Sequence, residues 1–150
     1  MYTLVPVDFF NPSDVRGALA EVAQIREGAR IAHARVPQYG AVLIYEVSGE
    51  GDPLPEIFRI LADLPSCKDY NKVLCSWKNG ALDLAIAQGK SLLLANNYRA
   101  ADFTTALYFI LLALKSLQLN PEVTTICFRH PLTQEQEMAV CRYFKAAQTP

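Results

Sequence analysis

The stretch KVLCSWKNGALDLAIAQGKSLLLAN, residues 72–96, decides the fold. Two short turns cut it into three apolar runs. Lys78-Asn79-Gly80 is centred on Asn-Gly, a strong two-residue hairpin signal because both positions tolerate positive φ. Gln88-Gly89-Lys90 is a second turn. The runs between them predict strands over Lys72–Trp77, Ala81–Ala87 and Ser91–Asn96. Connections this tight join antiparallel neighbours, so the three strands form a meander.

Downstream, Asn96-Asn97-Tyr98-Arg99 is expected to carry the chain out of the sheet. The apolar run Ala106–Leu114 then sits in a helix from about Asp102 to Leu117, with Asp102 as N-cap. Asn120-Pro121 stops it, because Asn tolerates the left-handed region and Pro cannot continue a helix. Val123–Arg129 reads as a fourth strand. Thr133-Gln134-Glu135-Gln136 has the capping-box spacing and opens a last helix to about Ala146. A helix of this length between strands three and four is a crossover. It lets strand four lie parallel to strand one, in the order 3-2-1-4. The crossover helix is apolar nearly all round, which predicts burial between the sheet and a second layer.

Upstream, Tyr2–Val7 is a short strand. Asn11-Pro12-Ser13-Asp14 combines a capping Asn, a Pro suited to the first turn and an acid at the positive helix end. A helix is predicted over Pro12–Ile25. Ala29–Val36 and Ala41–Val47 read as a hairpin around Pro37-Gln38-Tyr39-Gly40. Ser48–Pro53 reads as a loop, and Pro55–Leu64 as a short helix ended by Pro65. Two parts follow: a small β-α-β-β-α subdomain over residues 1–65, and a β-β-β-α-β-α unit over residues 66–150.

Composition narrows the function. The 150 residues are 51% hydrophobic and 19% charged, which excludes intrinsic disorder. Fourteen basic residues face fifteen acidic ones, and Arg26, Arg30 and Arg35 are dispersed, so nucleic acid is not an expected partner. No apolar run approaches the roughly 20 residues a membrane span needs. Met1–Asp8 lacks a basic start and is not read as a signal peptide, so a cytoplasmic location is expected. Cys67, Cys75, Cys127 and Cys141 form no C-x-x-C pair and no zinc-like spacing. Buried reduced thiols are expected for Cys75 and Cys127, and no metal site is expected around His33 or His130. Asp63, Cys67 and Asp69 read as a surface loop.

The element order resembles the ribonuclease H-like fold, the repeated unit of the actin and hexokinase superfamily. Residues Trp77–Tyr98, followed by the helix start Asp102-Phe103-Thr104-Thr105-Ala106-Leu107, are similar to one bacterial family. That is domain-of-unknown-function family 3822, described as actin-like. The resemblance implies an α/β mixed sheet, two ribonuclease H-like halves in the family, and a chain that begins late in the first half.

It also implies where ligand chemistry would lie. Actin-like ATPases carry a phosphate loop with an Asp at the first hairpin of each half. Here that segment is Leu74–Gly80. Ser76 and Trp77 stand where a carboxylate is wanted, and Gly80 suits a turn without any ligand. A ribonuclease H-type nuclease needs several converging carboxylates, and Asp83 with Asp102 does not supply them. Alternation puts Asp83 on one side with Ala81 and Ala85, a side expected to face solvent. There is no G-x-x-x-x-G-K-S/T and no G-x-S-x-G.

No catalytic residue is therefore assigned, and the chain is not expected to be an enzyme. The candidate binding residues are Asn79, Gly80, Asn96, Asn97, Arg99 and Asp102, at junctions that face the ligand cleft in this fold. The expected role is a non-catalytic protein-interaction module on a degenerate actin-like scaffold, with no cofactor and with a partner protein or a second copy (a homodimer) as ligand. The alternatives are the nucleotide-binding part of an ATPase using ATP and Mg²⁺, completed by further N-terminal residues, and an oligomerisation domain.

Overall fold

The computed structural model describes residues 1–47 and 54–149; the loop expected over Ser48–Pro53 lies outside them. The chain forms two compact units, Met1–Arg59 and Ile60–Pro150.

In the first unit, β1 (Tyr2–Pro6), β2 (Ile31–Val36) and β3 (Ala41–Glu46) form an antiparallel sheet in the order β1-β3-β2. The β2–β3 hairpin is as expected. Its turn, Pro37–Tyr39, closes on Gly40 in the left-handed region at φ 59°. Helix α1 (Val15–Ala20) packs on all three strands through the fully buried Leu19. It is much shorter than the predicted Pro12–Ile25. Pro12–Asp14 is a separate 3₁₀ turn, and Val22 beyond the end is 65% exposed. A further turn would bury nothing, and a short helix persists only where packing supports it.

Helix α2 (Glu56–Asp63) follows, and the unit boundary falls within it. The second unit then begins its meander: β4 (Asn71–Lys78), β5 (Ala81–Gln88) and β6 (Ser91–Arg99). The crossover helix α3 (Phe103–Ser116) leads to β7 (Thr125–Phe128), which lies parallel to β4. The expected lateral order is present and extended: β6-β5-β4-β7-β8.

Three expectations are corrected here. Asn96–Arg99 does not leave the sheet, because Asn97, Tyr98 and Arg99 pair with Asp83, Leu82 and Ala81. The last helix, α4 (Gln134–Cys141), stops well before Ala146, and Ala146–Gln148 forms β8, parallel to β7. The unit is thus β-β-β-α-β-α-β. A three-residue strand carries almost no periodicity of its own, and pairing with β7 alone defines it. Finally, α3 is not covered all round, since Tyr108 and Leu112, one turn apart, are 59% and 46% exposed.

One sheet face carries the main core. Val73, Cys75, Leu82, Leu84, Ile86, Ile126 and Phe128 alternate onto it and meet Ala106, Ile110 and Leu114 of α3 and Val140 of α4. The other face holds Leu74, Ser76, Asp83, Ala85 and Cys127 by register. It was expected to face solvent. Leu74 and Ala85 are instead fully buried, and the turn Leu64–Ser66 packs on β4 and β5. Among the described residues, no helix is long and apolar enough to cross a membrane.

Candidate functional site

The site is built around the β4–β5 turn. Asn79 and Gly80 both take positive φ, 53° and 75°, as a two-residue hairpin loop of this type demands. The Gly80 carbonyl accepts the Ala100 N–H at 2.9 Å. Trp77 Nε1 donates to the Ala100 carbonyl at 2.9 Å. Ala100, fully buried, is therefore held on both sides, and the β6–α3 junction is fastened to the hairpin. The Trp77 ring also meets Phe103, the first residue of α3, edge-on at 5.8 Å. No carboxylate occurs along β4. The hairpin end is thus filled by an indole.

The six residues singled out from the sequence do not form one cluster. Asn79, Gly80, Arg99 and Asp102 belong to the two segments joined through Ala100. Asn96 and Asn97 lie further along β6 and, as strand neighbours, point to opposite faces. Asn97 Nδ2 donates to Asp83 Oδ1 at 2.8 Å, and the Asn97 N–H donates to Asn96 Oδ1 at 2.8 Å. All six except Gly80 are exposed.

Asp102 caps α3 by accepting the Thr105 N–H at 2.7 Å. The Thr105 backbone bond, aided by the Thr105 hydroxyl and the Thr104 N–H, holds its carboxyl below the usual carboxylate range. A carboxyl with a lowered folded-state pKa stabilises the fold fully above its unfolded pKa. The contribution disappears as pH falls through the lowered value. Urea titrations across pH 2–6, a window chosen around the ordinary carboxylate range, should show this loss in the wild type. Asp102→Asn, which keeps a capping oxygen but cannot ionise, should lack that part of the slope.

Sequence reasoning missed a cleft of about 200 Å³ next to the Trp77 ring. It lies at the C-terminal ends of the parallel strands β4 and β7. Ser76 and Trp77 form one side, Phe103 of α3 and Phe128 of β7 the next, and His130, Pro131, Leu132 and Gln136 the rest. Gln136 belongs to α4, whose capping box is complete: the Gln136 N–H donates to Thr133 Oγ1, and the Thr133 N–H to Gln136 Oε1. Ligands of open α/β sheets sit beyond the carboxyl ends of the strands. The predicted β4–β7 pairing could have pointed to this place. The cleft itself depends on how α3, the end of β7 and the segment leading into α4 converge, and no local pattern encodes that.

Among the described residues, no group of three or more His, Cys, Asp or Glu could hold a metal ion. Ser76 Oγ is buried without a hydrogen-bond partner. By alternation its side chain belongs to the face opposite Trp77, although Ser76 is among the residues lining the cleft.

The family model described as "Protein of unknown function (DUF3822)" matches residues 57–144. The chain belongs to this family. The match takes in α2, the whole meander, α3, β7 and α4, and so includes both the clasped hairpin and the cleft. The DUF3822 chain is also similar to a solved structure from Bacteroides thetaiotaomicron described as a protein with actin-like ATPase fold and unknown function. The TM-score is 0.78 over 99% of this chain, at 16% identity. The chain spans 64% of that protein's length. A likeness at this identity establishes the fold, which is actin-like. No curated protein matches the sequence.

Proposed function

We propose that this DUF3822 chain is a non-catalytic protein-interaction module on an actin-like scaffold. The observation that carries the reading is the closed β4–β5 hairpin. In an actin-like ATPase that hairpin supplies a carboxylate and a phosphate cradle. Here β4 has neither Asp nor Glu, and its last turn-side aromatic, Trp77, is fastened to Ala100 and Phe103. A phosphate group approaching this turn meets an indole already engaged by backbone and ring.

The rest of the unit suits a peptide-like ligand. β6 is nine residues long and is one of the two edge strands of its sheet. An outer strand offers main-chain groups to which an extended segment can add, with side chains giving selectivity. Asn96, Asn97 and Arg99 lie on this strand and are exposed. The aromatic cleft at the ends of β4 and β7 is of a size to accept one apolar side chain.

Isothermal titration of the intact chain with Mg-ATP tests the reading. No heat beyond dilution is expected at millimolar nucleotide. Binding at micromolar affinity overturns it in favour of the nucleotide-binding alternative.

A further inference from the structure

The β6 edge of the second unit is unusual in what it lacks. Edge strands of soluble proteins are normally blunted by charge, proline, a bulge or short length. Along Leu94–Tyr98, β6 has none of these. Its ladder to β5 is regular there, with the register shifting only beyond Ile86, and no residue of the run is charged or proline. The one charge of the strand, Arg99, stands at its end.

Apolar surface continues from this edge onto α3. Tyr98 stacks on Phe109 at 5.0 Å, and Phe109 meets Tyr108 edge-on at 5.7 Å. Tyr108 and, one turn further, Leu112 stay exposed. Strand edge and helix face thus make one strip without charge at its centre. Asp102 caps the start of α3, and Lys115, in the last turn, is the only charged residue within the helix.

We propose that this strip is a self-association surface, on which a second copy of the chain adds its own β6 to β6 about a two-fold axis normal to the sheet. The proposal rests on the interaction-module reading and names that module's partner. The strip is complementary to itself. A strand paired with its own copy in this way is antiparallel, and facing residues share a sheet face only if the axis passes through a residue. An axis through Asn96 sets the two Asn96 amides opposite each other, and each can donate and accept. It also sets Tyr98 opposite the second copy's Leu94, an aromatic–aliphatic pair of the kind that stabilises sheets. The two Arg99 side chains stand at opposite ends of the new ladder. The same axis makes the two α3 helices antiparallel. The Asp102 end of one then lies on the side of the Lys115 end of the other, which suits both the charges and the helix dipoles. Such a pair closes on itself and leaves no free copy of the surface.

The test uses the full chain carrying Cys141→Ser, which removes the exposed native thiol. Analytical ultracentrifugation across micromolar concentrations should give twice the mass of one chain. Asn96→Lys brings two ammonium groups face to face. It should return the mass to that of one chain, with an unchanged circular dichroism spectrum. Leu112→Lys, at an exposed position, should weaken association by roughly tenfold or more. Asn96→Cys should cross-link two chains under mild oxidation, because facing strand residues lie within disulfide reach. Asn97→Cys, off the axis and on the other sheet face, should cross-link far less. The proposal is overturned by a mass of one chain at every concentration. A dimer indifferent to both lysine substitutions, or a cross-link stronger at Asn97 than at Asn96, also overturns it. Mass and cross-linking decide the matter even if Asn96→Lys fails to fold. A single-chain mass with no response to Mg-ATP removes self-association alone, whereas Mg-ATP binding removes the interaction-module reading itself.

Discussion

Replacing Ile110 with alanine should lower the stability of the second unit by about 2–5 kcal/mol, the range seen for deleting large aliphatic side chains in cores. Ile110 sits midway along α3 and is fully buried in the cluster that contains Leu82, Leu84, Ile86 and Ile126. Alanine removes the transfer energy of three carbons and leaves a void. The sheet beneath is held in register by β4–β5 and β5–β6 pairing, so it cannot close that void by shifting. Urea unfolding followed by circular dichroism should show an earlier midpoint with an unchanged slope. A loss below about 0.5 kcal/mol, the size of an ordinary surface change, would mean that α3 is not the packing centre of the unit.

Trp77→Ala should cost about 2–4 kcal/mol, combining a lost aromatic contact with a stranded carbonyl. The indole is half-buried, so the loss is smaller than for a fully buried ring of that size. Two links disappear together: the Nε1 bond to the Ala100 carbonyl and the edge contact with Phe103. The link from the hairpin to the β6–α3 junction then rests on the Gly80–Ala100 backbone bond. Trp77→Phe separates the two parts. It keeps a ring against Phe103 and forfeits only the donor, so about 1 kcal/mol is expected. Equal losses in both variants would place all the effect in the hydrogen bond and none in the packing.

Much of the second unit could be read from local signals. Asn79-Gly80 fixes a hairpin because both residues reach positive φ, and both do. Asp102 and Thr133 cap the helices they were expected to cap, since each has a side-chain oxygen placed to meet a free N–H. The 3-2-1-4 order followed from turn length and the handedness of a crossover, which depend little on particular side chains. The family likeness drew on the same residues.

Other features were illegible for identifiable reasons. The β6 strand runs on through Asn97-Tyr98-Arg99, although Asn97 has weak strand preference, because β5 offers Asp83, Leu82 and Ala81 as partners. β8 exists only as an addition to β7. Cys67 read as part of a surface loop, since Lys68, Asp69 and Tyr70 follow it, yet it is buried where the preceding turn packs on β4 and β5. Packing of this kind leaves no trace in local composition.

The sequence by itself determined the meander, the crossover, the helix caps and the absence of a carboxylate on β4. Each is a property of a few adjacent residues and of the two soft dihedrals at each of them. Tertiary structure alone decided which side of the sheet is covered, how Trp77 closes over Ala100, that a cleft opens beside Phe103 and Leu132, and that Cys67 is buried. These depend on packing between segments far apart in the chain, where shape and burial select one arrangement among many that local propensity allows equally.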